Sequence, residues 1–588
     1  MRLPPNDARG RPTRTVRIDR PLDFAAVTDH AEFLGETRLC ADPDSPVYDA
    51  RACVVMRTER GRAPTFAMHI MSPITWRKDS LCGDDGSLCY EAAGAAWGEI
   101  IGAAEAWNDT SSACARTTFI AYEYSSHRLG SNLHRNVVFR NAAVPRRPIS
   151  YIETPREWEL WEWLRDLCLD SETGCDALAI PHNSNISNGR MFPVDWAGAP
   201  TQQAQVERAR LRMRLEPVVE VMQHKGDSEC HPAMEALFGS SDEECGFEKF
   251  EDWAPGLLVP ASERGECGAG DWRIRFGPTC YSPGSYARTS LTRGLAEEAR
   301  IGVNPFKFGL VASTDTHNAL AGGVEERSFP GHLGVGDDSA AKRSSLDRAV
   351  EGNASNGPGG LVAVWAPENS RDALFDAIRD KEVYGTSGPR IVVRFFGTRD
   401  ADWDRGESLC TAGDLVARGY AQGVAMGGDL PIEGDAAPLF AVSALRDVGT
   451  ATAPGNGLER VQIVKGWLDD DGAMHQRVYD VAGAPAPGPA VDPETCAPRV
   501  AGHASLCSVW RDPDFDARER AYYYARVLEV PSCRYTAWQC LEVPAAARGA
   551  ACAADSPIPR TQRERAWTSP IWYTPPSDAT GAAVAASG

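Results

Sequence analysis

The chain of 588 residues contains no apolar run approaching the ~20 residues that a membrane-spanning helix requires, which excludes a helical anchor within it. It is short of positive charge. With 61 lysines and arginines against 81 aspartates and glutamates the net charge is −20, which argues against nucleic acid or an anionic membrane as the main partner. None of the 17 cysteines forms a Cys-x-x-Cys pair, so a structural zinc ribbon or thioredoxin-like centre is disfavoured. Met1 to Arg20 has no apolar stretch of the secretory-signal kind. No internal repeat is found, and histidine is scarce, at 11 residues.

Cysteine, by contrast, is plentiful and clusters locally as Cys40/Cys53, Cys82/Cys89, Cys168/Cys175, Cys230/Cys245, Cys267/Cys280, Cys496/Cys507 and Cys533/Cys540, with Cys114, Cys410 and Cys552 over. Such spacing reads as loop-stapling disulfides made in an oxidising compartment. Cys496/Cys507 and Cys533/Cys540 are the first pairs expected. The expected location is therefore periplasmic or otherwise extracytoplasmic, and the unadorned N-terminus leaves the cytoplasm as the alternative.

Length and a composition of 43% hydrophobic and 24% charged residues predict two globular domains. Residues 1–389 alternate short apolar runs with helical segments, the pattern of an α/β barrel built from βα units. Glu157 to Leu169 and Asn369 to Asp380 read as helices, and Val218 to Met222 as a strand. Residues 331–360, rich in glycine, serine and aspartate, read as a long mobile loop. Residues 390–575 change to strands separated by Gly/Pro/Asp loops without a strong helix, as in an all-β sandwich, and residues 576–588 read as a disordered tail.

Several apolar runs end in groups that bind metals. Phe308–Ala312 leads into Ser313-Thr314-Asp315-Thr316-His317, Phe24–Val27 into Asp29-His30, and Ala177–Ile180 into His182. His134 precedes Val137-Val138-Phe139, and Glu123 follows Thr117–Ala121. A carboxylate beside imidazoles suits a divalent transition metal, and strand ends of a parallel barrel converge on one rim. Metal ligands are therefore expected at His30, Glu123, His134, His182, Asp315 and His317, although each alone reads more readily as a surface or hydrogen-bonded residue. Asp29 is read as a turn or N-cap residue. His69, His127, His231, His332, His475 and His503 are read as structural.

Ordered motifs add to this reading: Pro21 to His30, Asn132 to Asn136, Ile180 to Asn185, Gln223 to Glu229, Phe308 to His317, Thr386 to Ile391 and Ile463 to Trp467. Together they resemble the DUF3604 family of bacterial proteins, from about Val16 to Trp538. That family is similar to the PHP (polymerase and histidinol phosphatase) superfamily of metal-dependent hydrolases, whose fold is a distorted βα barrel holding two or three clustered metals. The resemblance implies the same six ligands, with Glu123 bridging. It also implies a His-x-His motif on a first strand, which is missing before Pro21. A start codon assigned downstream of the true one would account both for that absence and for the missing signal; loss of the first strand from this copy is the alternative. The chain as written is expected to hold about one ion firmly (zinc, manganese or iron).

The resemblance to that superfamily implies phosphoester hydrolysis of a small anionic substrate by metal-activated water. Glu123, Asn183, His224 and Lys225 are the candidate catalytic residues; His224 and Lys225 would neutralise the anion unless Lys225 pairs with Glu229. Hydrolysis of another ester, a sulfate or an amide is the alternative. A non-catalytic binding protein, or carbohydrate processing suggested by 16 tryptophans, ranks lower.

Overall fold

The N-terminal candidate residues lie on one four-stranded sheet. In the computed structural model, which describes residues 1–58, 77–194, 196–253, 281–347, 350–399, 403, 409–432, 436–451, 453–486, 488 and 490–576, strand Phe24–Ala26 runs parallel to Thr117–Ser126. Leu133–Phe139 and then Ala177–Pro181 continue the sheet antiparallel. The long strand is buried on both faces, which accounts for its nearly unbroken apolar sequence. Ile120, Tyr122 and Tyr124 meet Trp97 of helix Ser87–Trp107 and Leu160, Trp161 and Leu164 of helix Glu157–Leu164. Phe119 and Ala121 point the other way.

A second sheet pairs Val218–Gln223 in parallel with Gly309–Ala312. Its Val218 and Val311 join Phe119, Ala121, Val138 and Leu178 in one inner layer, closed below by Leu374, Phe375 and Ile378 of helix Arg371–Arg379. The two sheets thus turn one face towards a common interior. Among the described residues they stay separate, without a closed ring of hydrogen bonds, and Thr117–Pro181 runs antiparallel where a parallel order was expected.

The third major sheet runs in the order Leu361–Val364, Val383–Thr386, Arg565–Thr568, Ala521–Glu529, Leu458–Leu468, Met474–Gly483, with Ile571–Tyr573 beside Ala521–Glu529. Strands before and after residue 389 are therefore immediate neighbours. Opposite it stands an antiparallel sheet of Val424–Ala425, Val392–Thr398, Leu439–Leu445 and Ser505–Arg511. Tyr523, Ala525 and Val527 face that sheet, whereas Tyr522 and Tyr524 face Leu291 and Leu295 of helix Ala287–Ile301. The C-terminal region is β-rich but also carries helices Leu415–Gln422 and Tyr535–Glu542, which its loop-like sequence did not announce. Residues 352–360, expected in a mobile loop, are buried, with Asn356 against His224, and His332 near the start of that expected loop is buried against Thr316. No described helix is long and apolar enough to cross a membrane.

Four buried ionic groups join the two halves. Arg288 donates to Glu229 at 2.5 Å and Asp242 at 2.8 Å, and Arg526 to Glu229 at 3.2 Å and Asp242 at 2.8 Å. Tyr524 and Trp567 also donate to Glu229, at 2.5 and 2.6 Å.

Among the described residues seven disulfides have Cα separations of 4.7–5.7 Å, within the geometric range for the bond. This is the pattern of an oxidising, extracytoplasmic environment. The four N-terminal pairs are those expected from spacing, and Cys267/Cys280 lies outside the described residues. The two C-terminal expectations fail. Cys533 precedes helix Tyr535–Glu542 and Cys540 sits in its last turns, about 10 Å further along at ~1.5 Å per residue; they bond instead to Cys496 and Cys552. Cys507 bonds to Cys410 from the helix packed over its strand. Cys114 is the free cysteine among the described residues.

Two outcomes follow. Non-reducing peptide mapping recovers Cys410–Cys507, Cys496–Cys533 and Cys540–Cys552. Arg288→Met strips Glu229 and Asp242 of a buried counter-charge and lowers unfolding free energy by about 3–5 kcal/mol in a denaturant titration.

Candidate metal centre

Glu123 is the hub of the first donor group. Its Oε1 lies 2.7 Å from His134 Nδ1, 3.4 Å from His182 Nε2 and 3.6 Å from His30 Nδ1, and it accepts from Ser125 Oγ at 3.0 Å. Ser125 Oγ also contacts His30 Nδ1. Sheet register delivers these groups. Glu123 stands opposite Asn136 and Ser125 opposite His134, so carboxylate and imidazole are diagonal neighbours inside an antiparallel ladder. Glu123 and His134 thus lie within strands, not beyond their ends. The parallel pairing with the first strand resumes at a His30–Glu123 bridge, where Glu123 N–H donates to the Asp29 carbonyl at 2.9 Å. Asp29 therefore extends the sheet; the following helix has Phe33 at its N-cap position.

The second group is built on the other sheet. His224 Nε2 is 3.4 Å from Asp315 Oδ2, Lys225 Nζ caps the same oxygen, and His317 Nδ1 is 2.7 Å from the Asp315 carbonyl. Lys225 therefore pairs with Asp315, and the Glu229 alternative falls because Arg288 and Arg526 take that carboxylate. The tight turn bearing His224 and Lys225 needs Gly226: its φ is +89°, and a Cβ would lie 2.2 Å from the Glu248 carbonyl oxygen. Each triad, Glu123/His134/His182 and His224/Asp315/His317, presents ligand atoms within 4.8 Å of one another. The ring centroids of His30 and His317 are 5.7 Å apart, so the two triads form one continuous cluster.

Charge and desolvation are strong here. Burial alone would raise the Glu123 carboxyl, yet His30, His182 and His134 hold it well below the usual carboxylate range. Burial pushes His134 down to about 3. It acts the same way on His182, where Glu123 outweighs it and brings the imidazole up to about 9. Asp315 resists burial through Lys225, His224 and His317 and stays well below its ordinary value.

The donor set fits a cation on a separate ground. His134 Nε2, both ring nitrogens of His182, His224 Nε2 and Asn183 Oδ1 are buried without a hydrogen-bond partner. Leaving so many polar atoms unpaired is costly unless something else satisfies them. Imidazole nitrogens facing carboxylate oxygens are the ligand types of zinc, manganese and iron sites.

All six expected ligands thus come together, and His224 joins them as a seventh potential donor in place of the expected free cation. Asn183, in the left-handed conformation, donates to Asn185 at 2.8 Å. Sequence reasoning missed Glu220, whose Oε2 accepts from Ser313 Oγ while Oε1 is unpartnered, and which burial pushes up to about 7. A carboxylate inside the apolar run Val218–Met222 was the available signal. His332 has both nitrogens satisfied, by Thr316 Oγ1 and the Pro358 carbonyl, and braces the turn at His317. His127 stands 5.8 Å from the His134 ring, and His69 lies outside the described residues.

A family model described as "Protein of unknown function (DUF3604)" matches residues 7–575. The chain belongs to the DUF3604 family. No curated protein and no solved structure matches this DUF3604 chain.

The direction of the His182 shift fixes a pH dependence. Because its folded-state value lies above the ordinary value of ~6.5, the Glu123–His182 attraction stabilises the metal-free protein fully below that pH and is lost as pH rises through about 9. Denaturant unfolding of chelator-treated protein should weaken over that window. Glu123→Gln should remove this component of the slope.

Proposed function

We propose that this DUF3604 chain is a metal-dependent hydrolase, most concretely a phosphoesterase acting on small anionic substrates, with a PHP-like distorted barrel as its scaffold and the periplasm as its compartment. The observation that carries the reading is the set of buried, unpartnered imidazole nitrogens around Glu123 and Asp315. His134 and His182 with Glu123 would hold one divalent ion, and His224 and His317 with Asp315 a second. One firmly held ion was expected because Asp315 and His317 lacked partners; His224 supplies the third donor. Bound there, divalent ions would supply Lewis-acid polarisation of a phosphoryl oxygen and a lowered pKa for water.

The chain's own groups complete the arrangement. Lys225 Nζ brings positive charge to the Asp315 edge of the cluster, where an anionic substrate oxygen would otherwise meet carboxylates. Glu220 Oε1, without a partner, is a group that can hold a proton beside the cluster. Ser125 steadies His30 and Glu123 together. Hydrolysis of another ester, a sulfate or an amide would use the same donors, and a substrate panel separates these readings.

The test is metal content and turnover measured together. Protein loaded with Zn2+ or Mn2+ should bind up to two ions by elemental analysis and hydrolyse a generic aryl phosphate, with activity abolished by chelation. His182→Ala should lose at least one ion and all measurable turnover. Lys225→Ala should raise KM by about 10- to 100-fold, the worth of one contact to a charged group, with kcat less affected. Tight metal binding without turnover of any ester, sulfate or amide would leave a binding protein.

A further inference from the structure

A cavity of about 550 Å³ opens beside the donor cluster. Its wall changes character along the strands with the two-residue period of a sheet. On Thr117–Ser126 the cavity is lined by Glu123 and then Phe119, and on Leu133–Phe139 by Asn136, beside His134, and then Val138. Ile180 and Leu178 continue that order below His182, and Asp315, Ser313 and Val311 repeat it on the second sheet. These polar groups lie towards one end; Glu220, level with Val311 in the ladder, also lines the cavity and takes a hydrogen bond from Ser313 Oγ, one step nearer that end. The result is a shaft with a polar mouth at Glu123 and Asp315 and a floor of Phe119, Val138, Leu178 and Val311, with Ile378 from the helix below. Four residues of strand separate Glu123 from Phe119, so the floor lies about 13 Å below the mouth at ~3.3 Å per residue.

An anionic substrate needing only the mouth would leave this apolar shaft without a purpose. Its volume lies within the ~300–1,000 Å³ of pockets that enclose small molecules, and its side walls are apolar at Leu361 and Val362 too. We propose that the substrate is amphiphilic: an anionic ester head held at the cluster and an apolar alkyl, acyl or arylalkyl group lodged in the shaft. The inference rests on the hydrolase reading of the same site. It adds the substrate class, an ester whose leaving or retained group is a medium-length hydrocarbon, and it assigns Val138, Leu178 and Val311 to substrate selection.

Two measurements test it separately from the hydrolase reading. Binding of non-hydrolysable alkyl phosphonates to the Zn2+-loaded protein, from methyl to decyl, is followed calorimetrically, and turnover of the matching alkyl phosphate monoesters is followed by phosphate release. Affinity should rise about fourfold with each added methylene until the floor is reached, and then level off. Val138→Phe and Leu178→Phe, which fill the floor, should weaken octyl and decyl phosphonate binding at least tenfold and leave methyl phosphonate unchanged. Thermal unfolding of both variants establishes that they are folded. Length-dependent binding without turnover would overturn the phosphoesterase reading and keep the apolar subsite. Binding or turnover indifferent to chain length, or unaltered by either filling variant in a folded protein, would overturn the subsite.

Discussion

Glu229, Asp242, Arg288 and Arg526 are ionised side chains with almost no contact with solvent, and the arrangement of the metal donors depends on their mutual attraction. Charges taken out of water are tolerated only when they are paired and their remaining hydrogen-bonding capacity is filled. Here the filling comes from the C-terminal half: Tyr524, Trp567, Gln462 and Gln476 all stand on strands of the third sheet. Glu229 ends the segment that begins with His224 and Lys225. Between them Asp227 meets Lys249, and Ser228 meets Asn185, whose amide also reaches the Lys225 carbonyl. The segment is tied at both ends, so His224 is presented to Asp315 from a turn anchored by buried hydrogen bonds.

The strands themselves were largely legible, because apolar runs bounded by turn residues are a local signal. The helices Glu157–Leu164 and Arg371–Arg379 were legible for the same reason: Leu160, Trp161 and Leu164, like Leu374, Phe375 and Ile378, recur at helical spacing. Pairing was not. Whether Thr117–Ser126 runs beside its neighbours in the same or opposite direction depends on the link from Ser126 to Leu133, too short for a parallel crossover, a geometric limit more telling than the apolar pattern. The same limit places Glu123 and His134 inside a ladder, diagonal to each other.

Residue chemistry gave the candidate donors before their geometry was known, since few histidines in this chain sit beside both an apolar run and a carboxylate. Glu220 escaped because a single charge within a strand is easily read as the solvent face of an alternating pattern. In fact both faces of that strand are covered, and its carboxylate looks into the shared interior. The cysteine bonds of the C-terminal region escaped for a related reason: spacing along the chain ignores the helix that carries Cys540 away from Cys533.

The order of strands in the third sheet bears on how the protein is made. Arg565–Thr568, among the last strands to leave the ribosome, is inserted between Val383–Thr386 and Ala521–Glu529. A chain emerging from its N-terminus at ~5–20 residues per second has neither this strand nor Trp567, a partner of Glu229, until nearly all of it has been synthesised. The Glu229 group cannot be completed before that late strand is present. In an oxidising, extracytoplasmic environment, the pairing of Arg565–Thr568 and the disulfides Cys496–Cys533 and Cys540–Cys552 would be made on the same late stretch of chain.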